Sequence, residues 1–508
     1  MPSPAVDQPQ PPGASQDAWP SDRDLATLRE DVAAYAERHG VPADPRDVRA
    51  ERAHAVRRDR DAHVDHQGGR VAGMALDCGV LLGFLPAPAR KTDEAETETE
   101  TETETETENP VGASEVLLRS DAFAGEVRFD ITRPDDDAVL REATRANEEV
   151  EGDEENAGRD EEKEAADRNR KSGWDAFARG AAWVLADDAR LRDSAPPTRG
   201  VVGIARSFPS GARMDGGGVS SSAAITVACV MAMQRVNGEA AVPEKELSEA
   251  EKKTQADAAR WRVARLARRV ENERIGVRCG VLDQASIALA ERDTLTLIDC
   301  AGETHARIRL GADRDGGAAP PAFKILLAFS GLREALTSTG YNARVEECRE
   351  AARRLLRAPG ARDAVLGDVS PETHAREKEN LPAHLRRRAA HFFGEAARVA
   401  DGEVAWRRGD LRAFGALVAE SGVSSVENYE CGCAPMNALR EMVCATRGMF
   451  GARFSGAGFR GCVVGLVEVA EAEAAARSVR EMYAAAFPEL ARDARVALAG
   501  TGDGAGIV

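Results

Sequence analysis

The feature that most constrains this 508-residue chain is a glycine–serine stretch that runs directly into an apolar helix. Residues 214–224 read MDGGGVSSSAA, and the apolar residues 223–233 predict the helix. Glycines let backbone N–H groups approach an anion, the helix N-terminus is partly positive, and serine hydroxyls can hold phosphate oxygens or Mg²⁺. The stretch therefore predicts an anion-binding loop, although a flexible loop ended by a serine helix cap would also explain it. It is not a P-loop, because the chain has no GxxxxGK followed by Ser or Thr.

The acidic excess is confined to two short segments. The formal net charge is −18, of which residues 92–108 contribute −9 and residues 135–171 contribute −8. The remaining chain is close to neutral, and no basic stripe is left to neutralise phosphates, which excludes nucleic acid as a main partner. Both segments are interpreted as solvated insertions, because their charges repel and they have few apolar residues. Recruitment of a basic partner is the alternative for them.

The cysteines and the N-terminal residues indicate in which cellular compartment the protein is expected. Nine cysteines, an odd number without C-x-x-C spacing, favour neither a zinc ribbon nor a disulfide framework. The first residues have neither the apolar core of a signal peptide nor the Arg-rich composition of a transit peptide. No apolar stretch reaches the roughly 18 residues that a membrane helix needs. We therefore expect a cytoplasmic protein without a membrane partner; the oligomeric state is left open, a monomer included.

Hydrophobic periodicity predicts grouped helices and strands, which indicates an α+β fold. Helices are predicted at 24–39, with Ser21 or Asp22 as the cap, from residue 174, and at 223–233 and 246–270; strands are predicted at 72–85, 201–204, 324–329, 453–454 and 462–467, with a strand pair in 115–130. A Gly/Pro-rich stretch before Phe323 separates two domains. The predicted divisions are a disordered tail at 1–22, an N-terminal domain at 23–320 with insertions at 92–110 and 135–171, and a C-terminal domain at 321–508.

Three motifs, in the same order, resemble those of the GHMP kinases and of their galactokinase branch. They are 218–224 (GVSSSAA), which resembles the phosphate motif, 279–284 (CGVLDQ) and the glycine-rich 455–462 (SGAGFRGC). Tyr341 begins YNARVEEC, which is similar to a helix start of galactokinases. The resemblance spans residue 48 to the C-terminus, apart from the insertions. It implies a two-domain α+β kinase with a ribosomal-protein-like N-terminal domain and a ferredoxin-like C-terminal domain.

Other residues are similar to plant-type galacturonokinases rather than to galactokinases. Residues 62–69 (AHVDHQGG) stand where galactokinases have EHTDYNGG, and 329–333 (FSGLR) and 428–432 (NYECG) also fit. The resemblance implies ATP-dependent phosphorylation of the anomeric hydroxyl of D-galacturonate. The glutamate of galactokinases faces the C6 end of the sugar, where a uronic acid carries a carboxylate. Ala62 removes the repulsion that a glutamate would impose there.

Asp283 is the expected catalytic residue, which by resemblance orients or deprotonates the C1 hydroxyl that attacks the γ-phosphate. Glu271 precedes Asp283 by twelve residues, which matches the family's spacing for its Mg²⁺-side glutamate. The resemblance assigns Glu271 to Mg²⁺ together with Ser221 or Ser222. Taken alone, Asp283 is also typical of a helix or turn cap, and Glu271 of the polar face of a long helix.

The same resemblance implies which residues bind ATP and the sugar. ATP is assigned to the glycine-rich loops, at Gly216, Gly217, Gly218, Ser220, Ser221, Ser222, Gly456 and Gly458. The sugar is assigned to Ala62, His63, Asp65 and Tyr341. The alternatives are an ordinary buried imidazole for His63 and a packing aromatic for Tyr341.

One segment departs from the family pattern. Family members have a buried strand before the sugar motif, and its arginine assists the catalytic aspartate. Here residues 53–61 read AHAVRRDRD, with Val56 at the place of that arginine and Arg57 as the nearest substitute. Such a polar run is unfavourable for a buried strand. Three explanations are open: a one-residue shift of register, a remodelled segment, or a fault in the deduced sequence.

Two rival functions stay open. The first is the same chemistry on galactose, glucuronate or arabinose, of which Ala62 disfavours only galactose. The second is a non-catalytic sugar sensor of the galactokinase type, which the lost arginine favours and the presence of Asp283 and Glu271 disfavours.

Overall fold

A computed structural model describes residues 20–60, 63–89, 110–121, 125–135, 174–208, 218–238, 248–314, 322–332 and 340–508, with the backbone alone for 54–60 and 249–250. The Thr-Glu repeat, residues 136–171 of the second insertion and most of the predicted tail lie outside these residues. The described strands are β1 (Arg49–Arg60), β2 (Arg70–Pro86), β3 (Glu115–Ser120), β4 (Glu126–Asp130), β5 (Val201–Phe208), β6 (Thr294–Asp299), β7 (Thr304–Arg309), β8 (Phe323–Phe329), β9 (Met449–Phe454), β10 (Cys462–Glu468), β11 (Arg495–Ala499) and β12 (Gly506–Ile507).

The described residues form eleven α-helices, of which the first four fall at or near the positions that periodicity predicts. They are α1 (Asp22–Arg38), α2 (Asp175–Leu191), α3 (Ser221–Val236), α4 (Glu249–Arg269), α5 (Leu282–Leu289), α6 (Tyr341–Leu355), α7 (Pro371–Glu377), α8 (Ala383–Arg407), α9 (Leu411–Glu427), α10 (Ala434–Ala445) and α11 (Ala472–Ala486). The Ser21 side chain accepts a hydrogen bond from the Asp24 N–H and caps α1. Asp22 therefore belongs to a helix, one residue inside the predicted tail.

The first sheet has the strand order β12-β1-β2-β5-β3-β4, with β6 paired to one end of β2 and β7 paired to β6. Its long strand β2 is apolar along its length because both faces are covered. Leu81 and Leu85 pack against α1, whereas Leu82 and Phe84 pack against α2 and α3. The predicted strand pair at 115–130 is the antiparallel pair of β3 and β4.

The polar segment at 53–60 forms a strand, although its composition is unfavourable for a buried one. It continues β1 and pairs with β2 in irregular register, with shifts between His54 and Val56 and between Arg58 and Arg60. Beyond Arg52 the described part of β1 has only β2 as a partner, since β12 pairs at Glu51 and Arg52 alone. Edge strands tolerate polar residues and bulges, which explains why this segment need not be apolar.

The second sheet is antiparallel, in the order β11-β8-β10-β9. Helices lie between β8 and β9 and between β10 and β11, which is the β-α-β-β-α-β arrangement of a ferredoxin-like fold. The expectation of a ferredoxin-like C-terminal half is therefore confirmed. The chain passes between the sheets after Arg309 and before Phe323, and the proposed boundary at 320/321 lies among residues that the structure does not describe. The last strand, β12, returns to the first sheet.

Two further properties concern the whole described chain. All nine cysteines are free thiols. Among the described helices, none combines the length and apolar character needed to cross a membrane.

Candidate active site

The described part of the glycine–serine loop is a turn that leads into α3. Gly218 and Ser220 both have left-handed backbone conformations, with φ of 75° and 61°. Ser220 is 8% exposed, and its hydroxyl has no hydrogen-bond partner among the described residues. A buried hydroxyl without a partner at a helix N-terminus fits a loop that binds an anion.

The third motif lies directly against this loop. A Cβ atom on Gly218 would lie 2.9 Å from the backbone nitrogen of Cys462, and one on Gly456 would lie 3.4 Å from the Cα atom of Gly218. Gly458 also has a positive φ, of 85°, so it too favours glycine. Two glycine-rich backbones, about 240 residues apart in the sequence, thus meet at one place.

Glu271 reaches the same place from a π-helical turn, Val270–Ile275, that follows α4. Such turns shift a side chain out of the regular helical register and are frequent at functional sites. Glu271 is buried, and its carboxylate accepts a 3.1 Å hydrogen bond from the Ser222 hydroxyl. It therefore does not lie on the polar face of a continuous helix. The geometry brings it to Ser222, the second of the two serines considered for the metal.

The second motif gathers three carboxylates around one thiol. Cys279 lies 3.5 Å from a carboxylate oxygen of Glu271. Burial raises the pKa of the Cys279 thiol well above its usual value, and the charges of Glu271, Asp65 and Asp283 raise it further. A Cβ atom on Gly280 would overlap the Asp65 carboxylate, which explains the glycine after the cysteine. Asp283, in the first turn of α5, is only partly buried.

Aromatic rings line the side of the site next to Asp65. The His63 ring stacks on Tyr429, with centroids 4.1 Å apart and planes 8° from parallel. Tyr341, the first residue of α6, meets His63 edge-on at 5.7 Å. Tyr341 also packs in one apolar cluster with Ala457 of the third motif. The predicted sugar residues His63, Asp65 and Tyr341 are therefore brought together beside the glycine loops.

The sequence predicts no role for Tyr429, although its NYECG segment resembles galacturonokinases. Gln67 fixes the protonation of the neighbouring histidine: its Oε1 accepts from the Leu366 N–H at 3.1 Å, so its amide nitrogen donates to His66 Nδ1 at 2.8 Å. His66 then carries its proton on Nε2 and donates it to the Tyr429 hydroxyl at 3.1 Å. Burial lowers the pKa of His66 to about 4, which keeps the ring neutral.

Four predicted site residues lie outside this geometry. Ala62, Gly216 and Gly217 are not among the described residues, and for Arg57 the backbone alone is described. Their assignments stay predictions. Ser221 begins α3 next to Ser222, and its assignment to the metal also stays a prediction.

The arrangement is that of an enzyme that positions two substrates side by side. Glycine-rich backbone and serine hydroxyls, which suit an anion, lie at one end, the rings of His63, Tyr341 and Tyr429 lie at the other, and the carboxylates lie between them. Phosphoryl transfer needs little more than such positioning and charge stabilisation, so the site defines a kinase of small molecules.

Comparison with known proteins gives the family. Residues 177–291 match the model of the GHMP kinases N terminal domain, and residues 403–485 match that of the GHMP kinases C terminal domain. A galacturonokinase of Arabidopsis thaliana is 34% identical over 483 residues, which cover 94% of this chain and 95% of the relative. A galactokinase of Homo sapiens is 32% identical over 268 residues, which cover 53% of this chain and 60% of the relative. The chain belongs to the GHMP kinases, as its three motifs predict.

The fold agrees with that assignment. The crystal structure of Lactococcus lactis galactokinase complexed with galactose matches with a TM-score of 0.68, covering 95% of this chain and 99% of that chain at 21% identity. The predicted two-domain GHMP kinase fold is confirmed.

Proposed function

We propose that this chain transfers the γ-phosphoryl group of ATP to the anomeric hydroxyl of D-galacturonate, giving α-D-galacturonate 1-phosphate and ADP. The observation that carries the substrate is the 34% identity to a galacturonokinase over 94% of the chain. The assembled site is consistent with this reaction, because the anion loop, the carboxylates and the ring-lined pocket adjoin one another.

The C1 hydroxyl of the sugar is the nucleophile. Its oxygen bonds to the γ-phosphorus while the bond from that phosphorus to the bridging oxygen of ADP breaks, and the hydroxyl proton passes to the Asp283 carboxylate. Arg57 is the candidate for the cation that assists Asp283, in place of the arginine that the family has one residue earlier. The anion loop from Gly216 to Ser222, with Gly456 and Gly458, binds the phosphates through backbone N–H groups.

Mg²⁺ fits the oxygen ligands at Glu271. A buried carboxylate and a serine hydroxyl 3.1 Å apart are hard ligands of the kind that Mg²⁺ prefers. Among the described residues, no three His, Cys, Asp or Glu side chains are grouped as a metal site. Glu271 with Ser222 would hold the ion, and Ser221 is the neighbouring alternative. When bound, the ion neutralises charge on the β- and γ-phosphates.

The sugar is held by side chains. Asp65 can accept hydrogen bonds from sugar hydroxyls, and the His63 and Tyr341 rings lie beside it. Ala62 immediately precedes His63, at the C6 end of the sugar by resemblance. An alanine there leaves room for the C6 carboxylate of a uronic acid without placing a second carboxylate next to it.

The test is ADP release from Mg·ATP by the purified protein with galacturonate, glucuronate, galactose and arabinose, with Asp283→Ala as the control. We expect turnover that is selective for galacturonate and lost in the variant. The phosphorylated product should carry the phosphate on C1, which ³¹P–¹H coupling to the anomeric proton reports.

Each other outcome removes a defined part of the proposal. Preferred turnover of another sugar keeps the kinase and removes the Ala62 argument. Binding of sugar and ATP without turnover removes catalysis and makes residues 56–61 the segment to examine.

A further inference from the structure

The turn that carries Tyr429 is held in an unfavourable backbone conformation. It connects α9 to α10, and the next residue, Glu430, has a left-handed φ of 56°. A long side chain rarely adopts this conformation, so neighbouring contacts must hold it. The Tyr429 and Cys431 N–H groups donate to the carbonyls of Ser424 and Ser425 at 3.0 and 3.1 Å. The ring of Tyr429, stacked on His63, depends on this turn for its position.

Arg388 of α8 makes the contacts that hold the turn. Its side chain is 1% exposed, and its guanidinium donates to the Asn428 carbonyl and to the Glu430 carboxylate, each at 2.6 Å. These two bonds bracket Tyr429 on both sides in the sequence. The planar guanidinium directs several donors in fixed directions, which a lysine cannot reproduce.

The third bond of Arg388 is made to the helix that carries the other ring, Tyr341. Its Nε donates to the Glu347 carboxylate at 2.6 Å, and Glu347 lies in α6, the helix that Tyr341 begins. Arg388 therefore connects the element that carries Tyr341 to the turn that carries Tyr429. His63 lies in contact with both of these rings.

We propose that Arg388 is a positioning residue of the sugar pocket, which sets the placement of Tyr341 and Tyr429 around His63 and thereby the affinity for the sugar. The proposal rests on the proposed sugar kinase function. Arg388 itself touches neither glycine loop in the described structure, so we expect a larger effect on the sugar than on ATP. One helical turn further along α8, buried His391 lies 2.9 Å from the Ser424 hydroxyl and braces the start of the same turn.

Arg387 provides a matched control. It is the neighbouring arginine and pairs with the other oxygen of the Glu430 carboxylate at 2.6 Å, but it is 39% exposed. A pair at that exposure contributes little, because solvent screens it. Arg387→Ala therefore removes one arginine and one contact to Glu430 without breaking the hydrogen bonds of Arg388 to Asn428, Glu430 and Glu347.

The experiment compares Arg388→Ala, Arg388→Lys and Arg387→Ala with the unmodified enzyme. In Arg388→Ala we expect the KM for galacturonate to rise roughly 10-fold or more while the KM for ATP stays within about two-fold. Arg388→Lys should lie between, and Arg387→Ala should match the unmodified enzyme. Adding Arg388→Ala to a Tyr429→Ala variant should raise the sugar KM by a smaller factor than Arg388→Ala does alone, because the part of its effect that acts through Tyr429 is already lost.

Hydrogen exchange supplies a readout that does not need turnover. In Arg388→Ala the amides of 428–433 should exchange faster than in Arg387→Ala, while those of the first glycine loop, at 218–222, should change less. Equal exchange in the two variants, or a parallel rise of both KM values, would overturn the proposal. If the unmodified enzyme phosphorylates no sugar, the proposed function fails and the exchange comparison alone decides. If Arg388→Ala does not fold, Arg388→Lys carries the same comparison.

Discussion

The two sides of the active site are built from different parts of the chain. On the proposed phosphate side, Gly218 and Gly456 let two backbones approach closely, next to serine hydroxyls and the Glu271 carboxylate. On the sugar side, the binding surface consists of rings and carboxylates from distant elements, such as the stacked His63 and Tyr429. In the proposed reaction the backbone side binds the triphosphate, whichever sugar is phosphorylated, and the side-chain side selects the sugar. Substrate choice can therefore change without rebuilding the phosphate site.

Removing Asp283 should have the largest effect, because its carboxylate acts on the reacting bond between the two sides. For Asp283→Ala we expect kcat to fall about 10³-fold, the usual contribution of a general base. The KM values for ATP and sugar should change little. Steady-state kinetics with both substrates varied would measure this, and a variant that keeps most of its kcat would remove Asp283 from the chemistry.

The dependence of the rate on Mg²⁺ tests the phosphate side of the site. Glu271→Gln should lower kcat roughly 100-fold and raise the Mg²⁺ concentration needed for half-maximal rate, because a charged ligand is lost. Ser222→Ala should act in the same direction more weakly, since its hydroxyl bonds to Glu271. Ser221→Ala is the comparison variant, since Ser221 is the neighbouring alternative for the metal. A larger effect at Ser221 than at Ser222 would contradict the pairing seen in the structure.

A methyl group on a loop glycine tests how closely the two backbones must approach. Gly218→Ala places a Cβ 2.9 Å from the Cys462 nitrogen and strains a φ of 75°. We expect the KM for ATP to rise about 10-fold, since such strain is worth one to three kcal/mol. Gly456→Ala meets its nearest atom at 3.4 Å and should cost less. Calorimetric titration with ATP can rank the affinities of the two variants. An equal rise of the KM for the sugar would contradict the division of the site into a phosphate side and a sugar side.

The last effect concerns the pH dependence of stability rather than activity, at a residue on the sugar side. Burial lowers the pKa of His66 from 6.5 to about 4. The neutral ring therefore favours the folded state above pH 6.5, and this contribution is lost as the pH falls toward 4, because the unfolded chain binds the proton first. Between these pH values the free energy of unfolding should drop about 2 kcal/mol more in the unmodified protein than in His66→Gln. Urea denaturation at pH 7 and pH 4.5 measures it, and a pH-independent difference would refute it.

The local features of the site could be predicted from the sequence. A glycine run before an apolar helix, or a capped helix start such as Ser21, is fixed by a few adjacent residues and their backbone preferences. Asp283 and Glu271 could be placed by spacing and resemblance. The π-helical turn that turns Glu271 inward could not, because α4 and this turn share one continuous helical pattern.

The long-range contacts of the site could not be predicted from the sequence. Tyr429 meets His63 and His66 only after the chain has crossed into the second sheet, and no periodicity links positions so far apart. Arg388 bonds to residues 40 to 42 positions away in the sequence, which no helical periodicity indicates. The composition of 53–60 is unfavourable for a buried strand. A strand at the edge of a sheet, paired in irregular register, does not need to be apolar.

The most direct test of the account is the ratio of kcat/KM for galacturonate to that for galactose, measured before and after Ala62→Glu, with the KM for ATP as the internal reference. We expect the unmodified enzyme to prefer galacturonate, and the variant to lose that preference by about 100-fold with an unchanged KM for ATP, because only the sugar side acquires a second carboxylate. An unchanged ratio, or a loss of ATP affinity equal to the loss for the sugar, would contradict the division of the site into a backbone side for phosphate and a side-chain side for the sugar.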